Sequence, residues 1–341
     1  MAGPWGRAPL CVAVLGDVIA DHWLHASPSR LSREAPVLVL RHEREELACG
    51  GAANVARNLR AMGARVALFG ATGLDASGRE IAAALAAEGV DVAGLEAVPG
   101  WTTPAKTRVL AAEPRRNPQQ ILRIDREPSA PLDPAARSRA ALRTVARLGE
   151  FDALLLSDYE YGAVGVEAAE AARAFTAAGR VAVLDPRRGL ERFRGALTAL
   201  TPNVGELAAF ARRPEALLAA PRELSAAARE LVEAVAPRHL LVTRGNLGMA
   251  LFDAAEHAAG AWVEASGEGL VTDVTGAGDT AAAAFTLALA AGQGALEAMR
   301  AANAAAGIVV MRPGAATCDA DELEAALRAA PRPTAVALEG A

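Results

Sequence analysis

Residues 273–285 read DVTGAGDTAAAAF, and no other stretch of the chain combines so many groups that could do chemistry. Gly276 and Gly278 leave backbone amides uncovered, and the apolar run after Thr280 opens a helix. Bare amides at a helix N-terminus bind anions, because the unpaired N–H groups and the positive dipole end point the same way. Asp279 is set directly in that place. A carboxylate there repels a phosphate unless it accepts the proton of the group that attacks the phosphate. The combination points to phosphoryl transfer.

Two other segments fit the same chemistry. Gly50-Gly51-Ala52-Ala53-Asn54 puts paired glycines before a helix, where a ligand can approach the backbone. Asn54 can donate to and accept from sugar hydroxyls. The alternative is an ordinary turn. Asn203-Val204-Gly205-Glu206 places an amide and a carboxylate one helical turn apart, able to order the water shell of Mg²⁺. The alternative is a helix start, with Asn203 as N-cap and Glu206 closing a capping box. The chain has no GxxxxGK[ST] motif, no HRD or DFG pair, and no GxGxxG after its first strand. P-loop, protein-kinase and dinucleotide-binding readings are thereby demoted.

These residues need a scaffold, and the chain of 341 residues, 52% hydrophobic and 22% charged, is long enough to bury a large core. A formal net charge of −5 argues against nucleic acid as the main partner. Cys11, Cys49 and Cys318 are widely separated, which fits reduced thiols and a cytoplasmic location, not a disulfide or zinc framework. The run Leu10–Leu15 is short and ends in Gly16-Asp17, unlike a signal peptide. The apolar run around Ala281–Ala291 is shorter than the roughly 20 residues that span a bilayer, so no membrane association is expected.

Strand-like runs at Cys11–Leu15, Val66–Phe69, Ala153–Ser157, Val181–Leu184, Ala199–Thr201 and Leu240–Thr243 alternate with helical stretches. The helical stretches are Ala53–Met62, Gly78–Glu88, Pro134–Leu148, Val166–Ala178 and Ser225–Val235. This alternation predicts an α/β fold with helices on both faces of an open sheet and ligands at the carboxyl ends of the strands. Val37–His42, and a hairpin of Ala105–Ala111 with Gln119–Asp125, break the rhythm and suggest a small β lid. Lids exclude the water that competes with an acceptor hydroxyl. The tail from Pro331 has no periodicity and is expected to be frayed.

Together these pieces resemble the PfkB/ribokinase family of carbohydrate kinases. GGAANVA at 50–56 and DVTGAGDTAAAAF at 273–285 are similar to its two signatures, and NVGE at 203–206 to its NxxE magnesium motif. The resemblance narrows to the D-glycero-β-D-manno-heptose 7-phosphate kinases through GDVIAD at 16–21, SRLSREAPVLVL at 29–40, ELACGGAANVARNL at 46–59 and LLSDYEYGAV at 155–164. LDPR at 184–187, LTPNVGE at 200–206 and ANAAAGIVV at 302–310 add to it. It implies a ribokinase-like three-layer α/β/α fold with a mostly parallel sheet and a small β lid. The kinase domain would span residues 8–330, with the lid at about 18–48 and 100–127 and a disordered tail at 331–341. No HxGH motif is present, so the expectation is a kinase without the nucleotidyltransferase domain found fused in some relatives.

The resemblance also implies roles. Asp279 would be the base on the anomeric hydroxyl, with Gly276, Ala277 and Gly278 supplying amides to the transferring phosphoryl group. Asp17, Gly50, Gly51 and Asn54 would hold the sugar. Asn203 and Glu206 would organise Mg²⁺, and Thr243, Arg244 and Gly245 would border ATP, with Asn303 near the adenine. Asp273 and Thr275 would belong to a monovalent-cation (K⁺) loop, and a homodimer through the lid is implied. A carboxylate at a helix N-terminus should have its pKa lowered, which is tolerable for a base that takes its proton late. Lys106, Arg108 and Arg123 on the lid strands, with Arg30 and Arg33 before them, are candidates to bind a 7-phosphate.

Two positions depart from the relatives. Tyr161 stands where a DYxKG pattern has lysine, and Arg187 where a DPKG-like stretch has lysine. Three readings follow: a heptose 7-phosphate kinase, a kinase for another sugar, sugar phosphate or nucleoside, and a sugar-sensing protein on a kinase fold.

Overall fold

The computed structural model describes residues 5, 9–112, 118–253, 259–267, 271–330, 332 and 334–337. The first half of the chain runs β1 (Cys11–Gly16), β2 (Val18–Leu31), β3 (Leu38–Gly51), α1 (Ala52–Ala61), β4 (Arg65–Gly73), α2 (Ala76–Ala87) and β5 (Asp91–Val98). Then come β6 (Ala105–Ala111), β7 (Gln119–Arg126), α3 (Pro134–Ala146), β8 (Ala153–Ser157), α4 (Val166–Ala177), β9 (Val181–Asp185) and β10 (Ala199–Leu200). The remainder is α5 (Val204–Ala211), α6 (Pro221–Val235), β11 (His239–Thr243), β12 (Met249–Asp253), β13 (Ala259–Val263), α7 (Ala277–Ala290), α8 (Ala295–Val309), α9 (Ala320–Ala329) and β14 (Thr334–Ala337).

The main sheet has the order β14-β13-β12-β11-β10-β9-β8-β1-β4-β5. From β5 to β11 every neighbouring pair is parallel, and β11 to β14 continue antiparallel. Strand alternation splits the core in two. Val12 and Val14 of β1 pack on one face with Val55, Phe285 and Met299, whereas Ala13 and Leu15 pack on the other with Phe175, Leu207 and Leu231. The result is the three-layer α/β/α arrangement that the strand–helix alternation predicts. Helix α7 is buried almost throughout, from Asp279 to Ala288, which explains its unbroken run of small and apolar residues.

A second sheet, β3-β2-β6-β7, stands apart from the first. Strand β2 pairs antiparallel with β3 and parallel with β6, and β6 pairs antiparallel with β7. The sequence pattern marks β6, β7 and part of β3, but not the 14-residue β2, whose histidines, proline and polar residues hide its period. The structure also differs at the tail. Thr334–Ala337 pairs with β13 and adds an edge strand to the main sheet. Residues 331, 333 and 338–341 of the expected tail, and 113–117 of the expected hairpin turn, lie outside the described residues.

Candidate active site

Strands β4 and β5 are laid down on one side of β1, and β8 to β11 on the other. The chain therefore reverses direction between β1 and β8. In open α/β sheets such a switch point leaves a crevice at the carboxyl ends of the strands. Asp17 follows β1 and Asp158 follows β8, and the first turn of α7 closes the same crevice.

Gly276 caps α7 in the left-handed region, at φ 77°. A Cβ there would lie 2.5 Å from the side-chain nitrogen of Asn54, so the position needs glycine twice over. Asp279 sits in the first turn, 3% exposed. Asn54 Nδ2 donates to its Oδ2 at 2.8 Å, and the Tyr159 hydroxyl donates to its Oδ1 at 2.8 Å. Burial pushes the Asp279 pKa up to about 6, against the lowering effects of Asn54, Tyr159, Arg187 and Lys106. The expectation of a lowered pKa fails: removing this carboxylate from water outweighs the helix dipole.

Two cavities meet at Asp279. One of about 840 Å³ is lined by Asp185, Arg187, Asn203, Thr243, Arg244 and Gly278, among others. The other, about 180 Å³, is lined by Asp21, Gly50, Gly51, Asn54, Lys106 and Arg108. Tyr159, Gly276 and Asp279 line both. Glu206 and Gly245 line the first and Thr275 the second. A Cβ on Gly278 would meet nothing within 4 Å, so its backbone is bare toward open space. The arrangement puts a carboxylate between a cation-lined small cavity and a larger one floored by a helix N-terminus. It can hold an acceptor hydroxyl against an anionic donor.

Several expected site residues lie elsewhere. Asp17 is 2% exposed and lines neither cavity. Its Oδ2 accepts the backbone N–H groups of Tyr159 and Tyr161 at 2.8 and 3.1 Å, and its Oδ1 that of Ala163 at 2.8 Å. It shapes the loop after β8 and has little left to offer a sugar. Asn303 is 4% exposed and lines neither cavity, and its amide donates to Glu264 O and Ser266 Oγ, each at 2.8 Å. The Ala277 amide is taken by Val274 O at 3.2 Å. Arg123 makes a two-point pair with Asp125 at 2.7 and 2.5 Å and lines neither cavity, and Arg30 near the end of β2 and Arg33 on the connection to β3 are exposed. Asp273 ties loops together, accepting Thr275 N at 2.9 Å and Gly314 N at 3.0 Å.

Asn203 and Glu206 form the capping box. Asn203 Oδ1 accepts Glu206 N at 2.8 Å, and Glu206 Oε2 accepts Asn203 N at 2.8 Å. Arg187 Nη1 holds the other Glu206 oxygen at 2.6 Å. Among the described residues no three Asp, Glu, His or Cys side chains converge to hold a metal ion. Mg²⁺ keeps several waters and leans on substrate phosphates. Acids that line one cavity singly, as Asp185 and Glu206 do, fit that mode and not a protein cage.

Three site residues escaped the sequence reading. Asp21 lines the small cavity together with Asp279 and is ion-paired with Arg108. Asp21 shares a face of β2 with Ile19, which also lines this cavity, whereas Asp17 precedes the strand. Opposite Asp21 in register is Lys106, and opposite Lys106 is Asp125, so these groups stand on one face of the second sheet. Tyr159, just beyond β8, and Asp185, at the carboxyl end of β9, lie inside the LLSDYEYGAV and LDPR stretches but were given no role there. Asp185 is half-buried, with its pKa pushed well up, first by desolvation and then by Glu206 and Asp279.

Known proteins give this geometry a context. Residues 11–322 match the model of the pfkB family carbohydrate kinases. The bifunctional protein HldE of Magnetococcus marinus is 38% identical over 324 residues, covering 93% of this chain and 63% of that protein. Its counterpart from Azorhizobium caulinodans is 39% identical over 320 residues, covering 93% and 64%. The chain thus spans less than two thirds of the length of these curated relatives. Among solved structures, Arabidopsis thaliana ribokinase complexed with ribose and ATP aligns with a TM-score of 0.70 at 22% identity, over 94% of this chain and 99% of the other. Escherichia coli phosphofructokinase-2 in complex with potassium aligns with a TM-score of 0.71 at 19% identity, over 95% and 99%. Those two likenesses establish the ribokinase-like fold. With a family match running from β1 into α9 and a buried acid at the start of α7, the chain belongs to the pfkB family of carbohydrate kinases.

Proposed function

We propose that this kinase transfers the terminal phosphoryl group of ATP to the anomeric hydroxyl of D-glycero-β-D-manno-heptose 7-phosphate. The product is the 1,7-bisphosphate, a precursor for ADP-heptose synthesis in the cytoplasm. The observation that carries the reading is the position of Asp279, buried where two cavities meet and braced on both oxygens. The larger cavity suits the nucleotide, with Thr243, Arg244 and Gly245 at its border and Gly276 and Gly278 in its wall at the start of α7. The smaller suits the acceptor, where Lys106 and Arg108 supply positive charge and Asp21 accepts from hydroxyls. HldE relatives at 36–39% identity support the heptose phosphate as the acceptor.

In this reading Asp279 accepts the anomeric proton as the oxygen bonds to phosphorus and the bond to ADP breaks. A carboxylate with a pKa near 6 is ionised at neutral pH yet basic enough to take that proton. Mg²⁺, when bound, neutralises phosphate charge. Glu206, Asn203 and Asp185 would hold its waters, and Arg187, fixed by Glu206, would face the phosphates. Asp273 and Thr275 order the loop beside which a monovalent cation such as K⁺ would sit.

One observation favours a different acceptor. Tyr161, in the lysine position, donates to Glu127 at 3.3 Å, so this rim of the second sheet carries acid and aromatic groups. Leu122 and Ile124 are 53% and 54% exposed on the face opposite Asp21, which supports a homodimer through this sheet. The test is ADP release with Mg-ATP and a panel of heptose 7-phosphate, fructose 6-phosphate, ribose and adenosine. Turnover with heptose 7-phosphate alone is expected, and preference for another member overturns the acceptor.

A further inference from the structure

Tyr159 stands two residues beyond β8, inside the LLSDYEYGAV stretch, and reaches both halves of the site. It lines both cavities. Its hydroxyl donates to Asp279 Oδ1, while Asn54 secures Oδ2. Its ring carries the Arg187 guanidinium 4.8 Å from the centroid and the Lys106 ammonium 5.7 Å away. Arg187 belongs to the wall of the larger cavity and Lys106 to that of the smaller. The backbone N–H of Tyr159 is anchored in turn by Asp17.

Each of these contacts has a consequence for the reaction. A carboxylate held by one donor per oxygen has its plane fixed, yet each oxygen keeps a lone pair to accept a further proton. A cation over an aromatic ring is held without neutralising its charge, unlike one in an ion pair. Of the two cations, Arg187 is also tied to Glu206. Lys106 is attracted chiefly by Asp21, but no hydrogen bond or ion pair of its side chain is found among the described residues. The Tyr159 ring is the group its ammonium is seen to stand over.

We infer that Tyr159 is a positioning residue for phosphoryl transfer. Its hydroxyl aims the Asp279 carboxylate at the acceptor, and its ring spaces Arg187 and Lys106 on the donor and acceptor sides of the transfer path. The inference rests on Asp279 being the base. The groups facing Asp279 are Asn54 from α1, Lys106 from β6, Tyr159 after β8, and Asp185 and Arg187 at the end of β9. Asn54, Tyr159, Arg187 and Lys106 favour the carboxylate form, and Asp185 opposes it. Loss of the Tyr159 hydroxyl raises the proton affinity of Asp279, and strengthening it as a donor lowers that affinity.

The test is a titration that needs no acceptor. The carboxyl ¹³C resonance of Asp279, assigned by its loss in Asp279→Asn, is followed against pH in the wild type and in Tyr159→Phe. Its midpoint should rise by roughly one pH unit in the Phe variant, the scale of one charge-assisted hydrogen bond. The chain has two tyrosines, so 3-fluorotyrosine incorporated into Tyr161→Phe labels position 159 alone. That more acidic phenol should move the midpoint down, and it serves even where the Phe variant fails to fold. With an accepted sugar, kcat of Tyr159→Phe should fall about tenfold with KM for ATP changed less than about threefold. Midpoints that move in neither protein overturn the inference. Turnover that survives Asp279→Asn overturns instead the reading on which it rests.

Discussion

Asn54 and Asp279 lie 225 residues apart in the chain, and the amide of one donates to the carboxylate of the other at 2.8 Å. The bond joins the helix opened by the paired glycines to the helix opened by GAGD, the two segments that resemble family signatures. Asn54 thus serves the acid as well as any sugar. Asn58, one turn on, donates to Asn54 O and Oδ1 at 3.0 and 3.3 Å, fixing which end of the Asn54 amide faces Asp279. Asn54→Ala removes a donor to a buried carboxylate, worth about 2 kcal/mol or roughly thirtyfold. That loss should be visible in kcat/KM, with a raised KM for the sugar as well.

The pH dependence follows from burial. Asp279 has its pKa pushed up to about 6, and a base works only when deprotonated. Activity is therefore full above that value and lost as pH falls through it, with kcat/KM dropping tenfold per pH unit below the limb. Asn54→Ala deletes a group that favours the carboxylate, so its limb moves to higher pH. A limb near pH 4 in the wild type would show that desolvation does not govern this acid.

Asp17 should behave as a structural residue. Three backbone N–H groups converge on it from one loop, and the burial that pushes its pKa up also hides it from ligands. Asp17→Ala leaves those donors unpaired in the interior. The expected loss is about 3 kcal/mol of stability, read by chemical denaturation, together with a loss of turnover because Tyr159 is released.

How much of this was legible in the sequence varies with the physics behind each feature. Buried parallel strands such as Ala153–Ser157 must be apolar on both faces, so they stand out as short runs ended by polar residues. The first turn of α7 was legible because a left-handed cap demands glycine, and Gly276 supplies it. Strand β2 was not, since it is buried on both faces over Val18–Asp21, lines polar cavities with Asp21 and His22, and is exposed from Pro28 onward, so no single apolar period runs along it. The choice between Asp17 and Asp21 was lost for the same reason. Both acids look alike in GDVIAD, and only the strand register shows which one faces the cavity. The pKa of Asp279 was misjudged because the local dipole is visible in sequence, whereas burial depends on the packing of α1, α7 and the loop after β8.

Glu206 separates a helix cap from a metal site. Its carboxylate closes the capping box on Asn203 and holds Arg187. Gln can still close a capping box, so Glu206→Gln should leave thermal stability nearly unchanged. It removes the charge that would hold magnesium-bound water, and the Mg²⁺ concentration giving half-maximal rate should rise about tenfold. A fall in melting temperature with an unchanged Mg²⁺ requirement would assign Glu206 to the helix alone.

Asp21 provides the converse of Asp17. It lies 4% exposed at the floor of the small cavity, ion-paired with Arg108, with burial raising its pKa against the pull of Arg108 and Lys106. Asn at this position keeps the shape and one acceptor oxygen but gives up the charge that holds Arg108. A sugar hydroxyl that donates to Asp21 would lose about 2 kcal/mol, so KM for the acceptor should rise by roughly thirtyfold in Asp21→Asn. KM for ATP should stay within about twofold, because the larger cavity is not lined by Asp21. Parallel assays of Asp17→Asn and Asp21→Asn then decide which acid of GDVIAD belongs to the substrate. A raised acceptor KM only in the Asp17 variant would return the assignment to Asp17.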